Sequence, residues 1–123
     1  MISKTLEADI RVKLKERRIR YEDSLAKEKE RILSSLIALG VDKVFLFGSY
    51  ARGDKNPQDL DFIVIWDTHS DYLSRTEALY KHVSPKVAVD MLVYSPGEFQ
   101  EIKERSFMKN ILNDAVTLYA KKE

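Results

Sequence analysis

The chain has 123 residues, 44% of them hydrophobic and 33% charged, and its formal net charge is +1. That length suits one domain with one core, and that balance excludes a disordered tail and a uniformly basic nucleic-acid binder. Cysteine is absent, which excludes a disulfide framework, a thiolate zinc site and a cysteine nucleophile. The longest apolar runs fall far short of the roughly 20 residues that span a bilayer, and charged residues follow Met1 closely, so a cytoplasmic protein without a signal peptide is expected.

Residues 4–39 contain neither Gly nor Pro and are rich in good helix formers, which predicts one long helix. Leu6, Ile10 and Leu14 recur every four residues, and Tyr21, Leu25, Ile32 and Leu36 continue the same narrow seam. The alternation across Leu6–Leu14 also fits a short strand. Gly40 is a natural stop. A helix of this length spans roughly 50 Å, wider than so small a domain, so it must fold back, break or pack on another chain. That makes a homodimer or partner contact through this helix an expectation. Arg11, Lys13, Lys15, Arg17, Arg18 and Arg20 form a basic run that Glu16, Glu22 and Asp23 dilute. It reads as a solvated face, and nucleic acid is not the expected partner.

Val44–Phe47 is a short buried-strand pattern ended by Gly48 and Ser49, and Asp59–Trp66 is a second strand centred on Phe62-Ile63-Val64-Ile65. Asp71–Val83 reads as a helix that Pro85 terminates. Lys86–Tyr94 is a third strand, with Val87, Val89, Met91 and Val93 on one face. Ser95-Pro96-Gly97-Glu98 opens a helix with a capping box. Phe99, Ile102, Phe107, Ile111 and Leu112 supply one or two further helices, and Val116–Ala120 closes as an edge strand. Strands separated by helices predict an α/β (α+β) domain: a small mixed sheet with flanking helices over residues 40–123, preceded by a helical extension over 1–39.

The chemistry concentrates in Phe47-Gly48-Ser49-Tyr50-Ala51-Arg52-Gly53 and the following Asp59-Leu60-Asp61. Alternate strand residues share a face, so Asp59 and Asp61 project together. Paired carboxylates repel, and a divalent cation between them removes the repulsion. Asp90 interrupts the apolar run Val87–Val93, and a charge inside such a run needs a reason. Paired beside the second strand, Asp90 reaches the same site, and three carboxylates can hold two metal ions for in-line phosphoryl or nucleotidyl displacement. Gly48 lets backbone approach a phosphate, Ser49 offers a hydroxyl, and Arg52 and Lys55 add positive charge. Gly48 and Gly53 are spaced as in a Walker A loop, but Asp54-Lys55-Asn56-Pro57 follows, which removes that reading.

Gly-Ser, a loop with Ala-Arg-Gly, then Asp-x-Asp-Phe-Ile-Val and a later Val-Asp-Met-Leu-Val resemble the polymerase-β-type nucleotidyltransferases, and most of all their minimal MNT branch, whose members accompany HEPN-domain proteins. The resemblance covers residues 41–120, including the tail Phe107–Tyr119. It implies the polymerase-β-like nucleotidyltransferase fold. It further implies that Gly48, Ser49 and Arg52 hold the nucleotide triphosphate, and that Asp59, Asp61 and Asp90 bind two Mg²⁺ ions, with Asp90 helping to deprotonate an attacking hydroxyl. The implied reaction moves AMP from ATP to a tyrosine of a HEPN-type toxin, releasing pyrophosphate. The alternative is an antitoxin-like module that masks its partner by contact, with a weak or dead site. Two features depart from the branch: nine residues, not ten, separate Ser49 from Asp59, and Gln58 stands where Ser is usual.

Overall fold

The computed structural model describes residues 4–122, so the outermost positions of the two expected ranges, 1–3 and 123, lie outside the described residues. The elements run α1 (Lys4–Leu39), β1 (Lys43–Phe47), α2 (Gly48–Arg52), β2 (Leu60–Ile65), α3 (Tyr72–Val83), β3 (Val89–Tyr94), α4 (Pro96–Ile102), α5 (Ser106–Asn113) and β4 (Val116–Ala120). The four strands form one sheet in the order β3-β2-β1-β4. β1 is antiparallel to both β2 and β4, whereas β2 and β3 run parallel. The parallel pair needs a crossover, and α3 supplies it. The mixed sheet with flanking helices is the architecture expected from the sequence.

Alternation along β2 divides the core between the two faces of the sheet. Leu60, Phe62 and Val64 face α1 and α3, where they pack with Leu25, Ile32, Leu36 and Leu79. Ile63 and Ile65 face the other way and pack with Met108, Phe99 and Ile102 of α4 and α5. Asp61, two residues before Ile63, lies on this second face, beyond the cover of the helices. Local signals set the helix starts. The Asp71 side chain accepts from the Ser74 amide at 2.8 Å, and the Ser95–Glu98 capping box is complete.

Helix α1 neither breaks nor folds back. Leu25, Glu28, Ile32 and Leu36 are buried against the sheet, while residues 4–20 are exposed throughout. The Leu6–Leu14 alternation is helical here, because the run continues unbroken into a helix whose later turns the core holds. The third strand starts at Val89 rather than Lys86. The Lys86 amide donates to the buried Glu28 carboxylate at 2.9 Å, which takes it from the sheet. Glu28 is held in turn by Arg31, whose guanidinium also donates to the Val83 and Ser84 carbonyls. This network ties α1 to the turn that leads into β3. Among the described residues no helix is long and apolar enough to cross a membrane.

Candidate active site

Topology brings three separate stretches of chain to one end of the sheet. β1 is antiparallel to β2, so its last residue, Phe47, lies opposite Asp61. β3 is parallel to β2, so both strands begin at that same end, and Asp61 stands in register with Asp90. Asp59 precedes β2 by one residue on the same alternation. One carboxylate oxygen from each of Asp59, Asp61 and Asp90 falls within 4.8 Å of the others. Like charges placed directly opposite each other on neighbouring strands are destabilising.

The cost shows in Asp61. Partial burial pushes its carboxyl up to about 6, and the charges of Asp59 and Asp90 push in the same direction. A hydrogen bond between the Asp61 and Asp90 carboxyls adds to the effect. The site thus concentrates negative charge that water does not fully screen, and oxygen donors in this number suit a hard divalent cation.

Gly48 forms the opposing wall. Its φ is +79°, and a Cβ built there would lie 2.2 Å from Asp61 Oδ2. Glycine is therefore required twice, for the backbone conformation and for the space that Asp61 occupies. Ser49 follows in the first turn of the five-residue α2, which ends at Gly53 in the left-handed region. Arg52 donates to Asp54 at 2.9 and 3.1 Å, so it does not pair with Asp61, although its charge reaches both Asp61 and Asp114. A cavity of about 290 Å³ lies between α2 and α5, lined by Gly48, Arg52, Asn110 and Asp114 among others. Tyr50 packs against the core with Lys29 over its ring at 5.8 Å, which suits a packing role.

Two supports for the site carry no local sequence signal. The Tyr80 hydroxyl donates to the Val89 carbonyl at 3.1 Å and accepts from the Met91 amide at 2.9 Å. It thereby satisfies the outer edge of β3 on both sides of Asp90. The Tyr21 hydroxyl of α1 donates to the carbonyl of Gln58, the residue before Asp59. Both tyrosines stand at helical spacing and read as ordinary packing residues until the fold brings their partners near.

The mixed sheet, with three carboxylates gathered at one end, is the architecture that the resemblance to nucleotidyltransferases implies. Residues 26–119 match the model of the nucleotidyltransferase domain family, and the chain belongs to that family. A protein of Methanocaldococcus jannaschii named "Putative protein adenylyltransferase" is 33% identical over an alignment of 101 residues that covers 80% of this chain and 98% of that protein. Two solved structures share the fold. One, described as a "putative nucleotidyltransferase" from Sulfolobus solfataricus, aligns with a TM-score of 0.61 at 20% identity, over 85% of this chain and 87% of that one. The other belongs to the toxin–antitoxin pair MntA–HpeT in a tyrosine-to-alanine mutant, with a TM-score of 0.52 at 19% identity, over 76% of this chain and 73% of that one.

Proposed function

We propose that this nucleotidyltransferase moves AMP from ATP to a tyrosine hydroxyl of a HEPN-type toxin in the cytoplasm. The observation that carries the reading is the convergence of Asp59, Asp61 and Asp90 against Gly48, where a side chain would overlap the Asp61 carboxylate. The three carboxylates are the residues that would hold Mg²⁺, two ions in all. Bound there, the cations would offset the carboxylates' repulsion and draw charge from the phosphates. Gly48 and Ser49 hold the triphosphate through backbone amide and hydroxyl, and Arg52 adds its guanidinium. Asp90 takes the proton of the attacking hydroxyl as the new bond to the α-phosphorus forms. The bond from the α-phosphorus to its bridging oxygen breaks, and pyrophosphate leaves. The likeness to an MntA component and the name of the archaeal relative support a protein as acceptor.

The Arg52–Asp54 pair favours a second reading. Arg52 must leave Asp54 to reach a phosphate, which suits a weak site in a protein that masks its partner by contact. A transfer assay separates the two. Purified chain, labelled ATP, Mg²⁺ and the product of the neighbouring gene are mixed, with Asp61→Asn as control. Label on the partner that vanishes in the variant supports transfer. Label that persists in the variant sinks the mechanism. A stable unlabelled complex, with the toxin silenced, selects masking.

A further inference from the structure

The exposed half of α1 has no role in the reaction above. The seam that α1 buries in the core runs through Tyr21, Leu25, Ile32 and Leu36. Leu14 lies seven residues before Tyr21 and Ile10 four before that, so both continue the same face beyond the body of the protein. Ile10 is 42% exposed and Leu14 52%. Val12 and Ile19, on the opposite face, are 55% and 49% exposed. At 1.5 Å per residue the segment 4–20 reaches roughly 25 Å. It projects from the sheet end that carries the carboxylates, because Tyr21 at its foot holds the Gln58 carbonyl beside Asp59. The family match begins only at residue 26, so this arm lies outside the matched domain.

We infer that residues 4–20 are a docking arm that inserts into an acidic-rimmed apolar groove of the protein whose hydroxyl is modified, holding that protein against the carboxylate site. Charge selects the partner. Residues 4–20 carry seven basic and three acidic side chains, a net of +4, so two arms side by side repel and an acidic surface attracts. Apolar residues on opposite faces suit a groove that grips the helix from two sides. A membrane surface takes one apolar face. Nucleic acid favours an unbroken basic face, which Glu7, Asp9 and Glu16 interrupt.

The inference rests on a protein being the acceptor, and the test separates the two claims. Ile10→Glu/Leu14→Glu keeps strong helix formers at exposed positions, so the fold is retained, as far-UV circular dichroism checks. The full chain, this double variant and Asp61→Asn are each titrated with the product of the neighbouring gene, and ATP–Mg²⁺ binding is measured separately. The expected result is a complex weakened about tenfold or more in the arm variant, with nucleotide binding unchanged. Asp61→Asn is expected to keep the complex while losing nucleotide binding. An arm variant that binds the partner as tightly as the wild type overturns the inference, as does a wild-type chain that binds no partner. A concentration-dependent self-association lost in the arm variant, or binding to anionic vesicles or RNA in place of the protein, also overturns it. Loss of ATP–Mg²⁺ binding by the wild type would instead overturn the catalytic reading and leave the docking result standing.

Discussion

Asp61→Asn should make the metal-free protein more stable while removing its chemistry. The Asp61 carboxyl rises from 3.8 to about 6, chiefly through burial and secondarily through Asp59 and Asp90. A carboxyl whose folded value lies above its unfolded one binds its proton more tightly when folded. The resulting penalty is absent below pH 3.8, grows as pH climbs towards 6 and is complete above it. Two pH units correspond to about 3 kcal/mol as a ceiling. Burying an amide in place of the carboxylate returns part of this, so about 1–2 kcal/mol should remain. For a domain of this size that raises Tm by about 3–8 °C at pH 7.5. The assay is thermal unfolding of both proteins in EDTA at pH 7.5 and pH 4, then at pH 7.5 with Mg²⁺. The gain should fade at pH 4, and Mg²⁺ should raise the wild-type Tm only, because a ligand stabilises the state that binds it. A variant less stable than wild type at pH 7.5 in EDTA would refute the electrostatic account. So would a gain of equal size at both pH values.

Gly48→Ala should abolish nucleotide binding and transfer, because its methyl would collide with Asp61 Oδ2 in a backbone of φ +79°; ATP–Mg²⁺ titration of a variant shown to be folded checks this. Tyr80→Phe removes the hydroxyl that bridges Val89 and Met91, at a cost of about 1 kcal/mol, and should lower kcat more than it raises KM by loosening Asp90. Faster amide exchange at Met91 should accompany it, and unchanged exchange would count against the bridge. Arg75 is 2% exposed and meets Glu98 in two hydrogen bonds of 2.5 and 3.0 Å, so Glu98→Gln strands a buried guanidinium. After allowance for the half-exposed carboxylate, about 1–2 kcal/mol should be lost at pH 7. Arg75 holds Glu98 down at about 2, so its contribution is full above 4.5 and lost as pH falls towards 2; denaturant melts at pH 7 and pH 3 should show the gap narrowing.

What was legible in the sequence was whatever repeats over short distances. The alternation Asp59, Asp61, Ile63, Ile65 announced a strand with carboxylates at its head and core at its tail. Gly40 ended α1, and Ser95 with Glu98 gave the α4 cap. Asp90 was visible as a charge that its apolar neighbours could not explain. The remaining supports join residues remote in the chain. Glu28 fills a gap in the α1 seam and looks solvent-facing, yet its partners include the Lys86 amide. Arg75 pairs with Glu98 across two helices, and Tyr80 reaches β3 from α3. Periodicity records which face a residue occupies. It does not record what waits on that face.

The same distinction explains why the site tolerates its charges. Asp61 and Asp90 sit opposite each other in neighbouring strands, a pairing that sheets ordinarily avoid. They stand at the starts of their strands, where the sheet face is clear of α4 and α5 and water still reaches them. Two residues further on, Ile63 is fully buried, and a carboxylate there would have to be neutral. Two residues earlier, Asp59 lies outside β2 altogether, in a loop whose neighbouring carbonyl Tyr21 must hold. The strand ends are therefore the one depth at which register fixes the carboxylates and solvent permits their charge. Folding spends stability there to keep oxygen donors together, and the compensating contacts come from Tyr80, Tyr21 and the space left by Gly48. A chain selected for stability alone would place an apolar pair at that register position, so the repulsion supports the metal-binding role proposed for the three carboxylates.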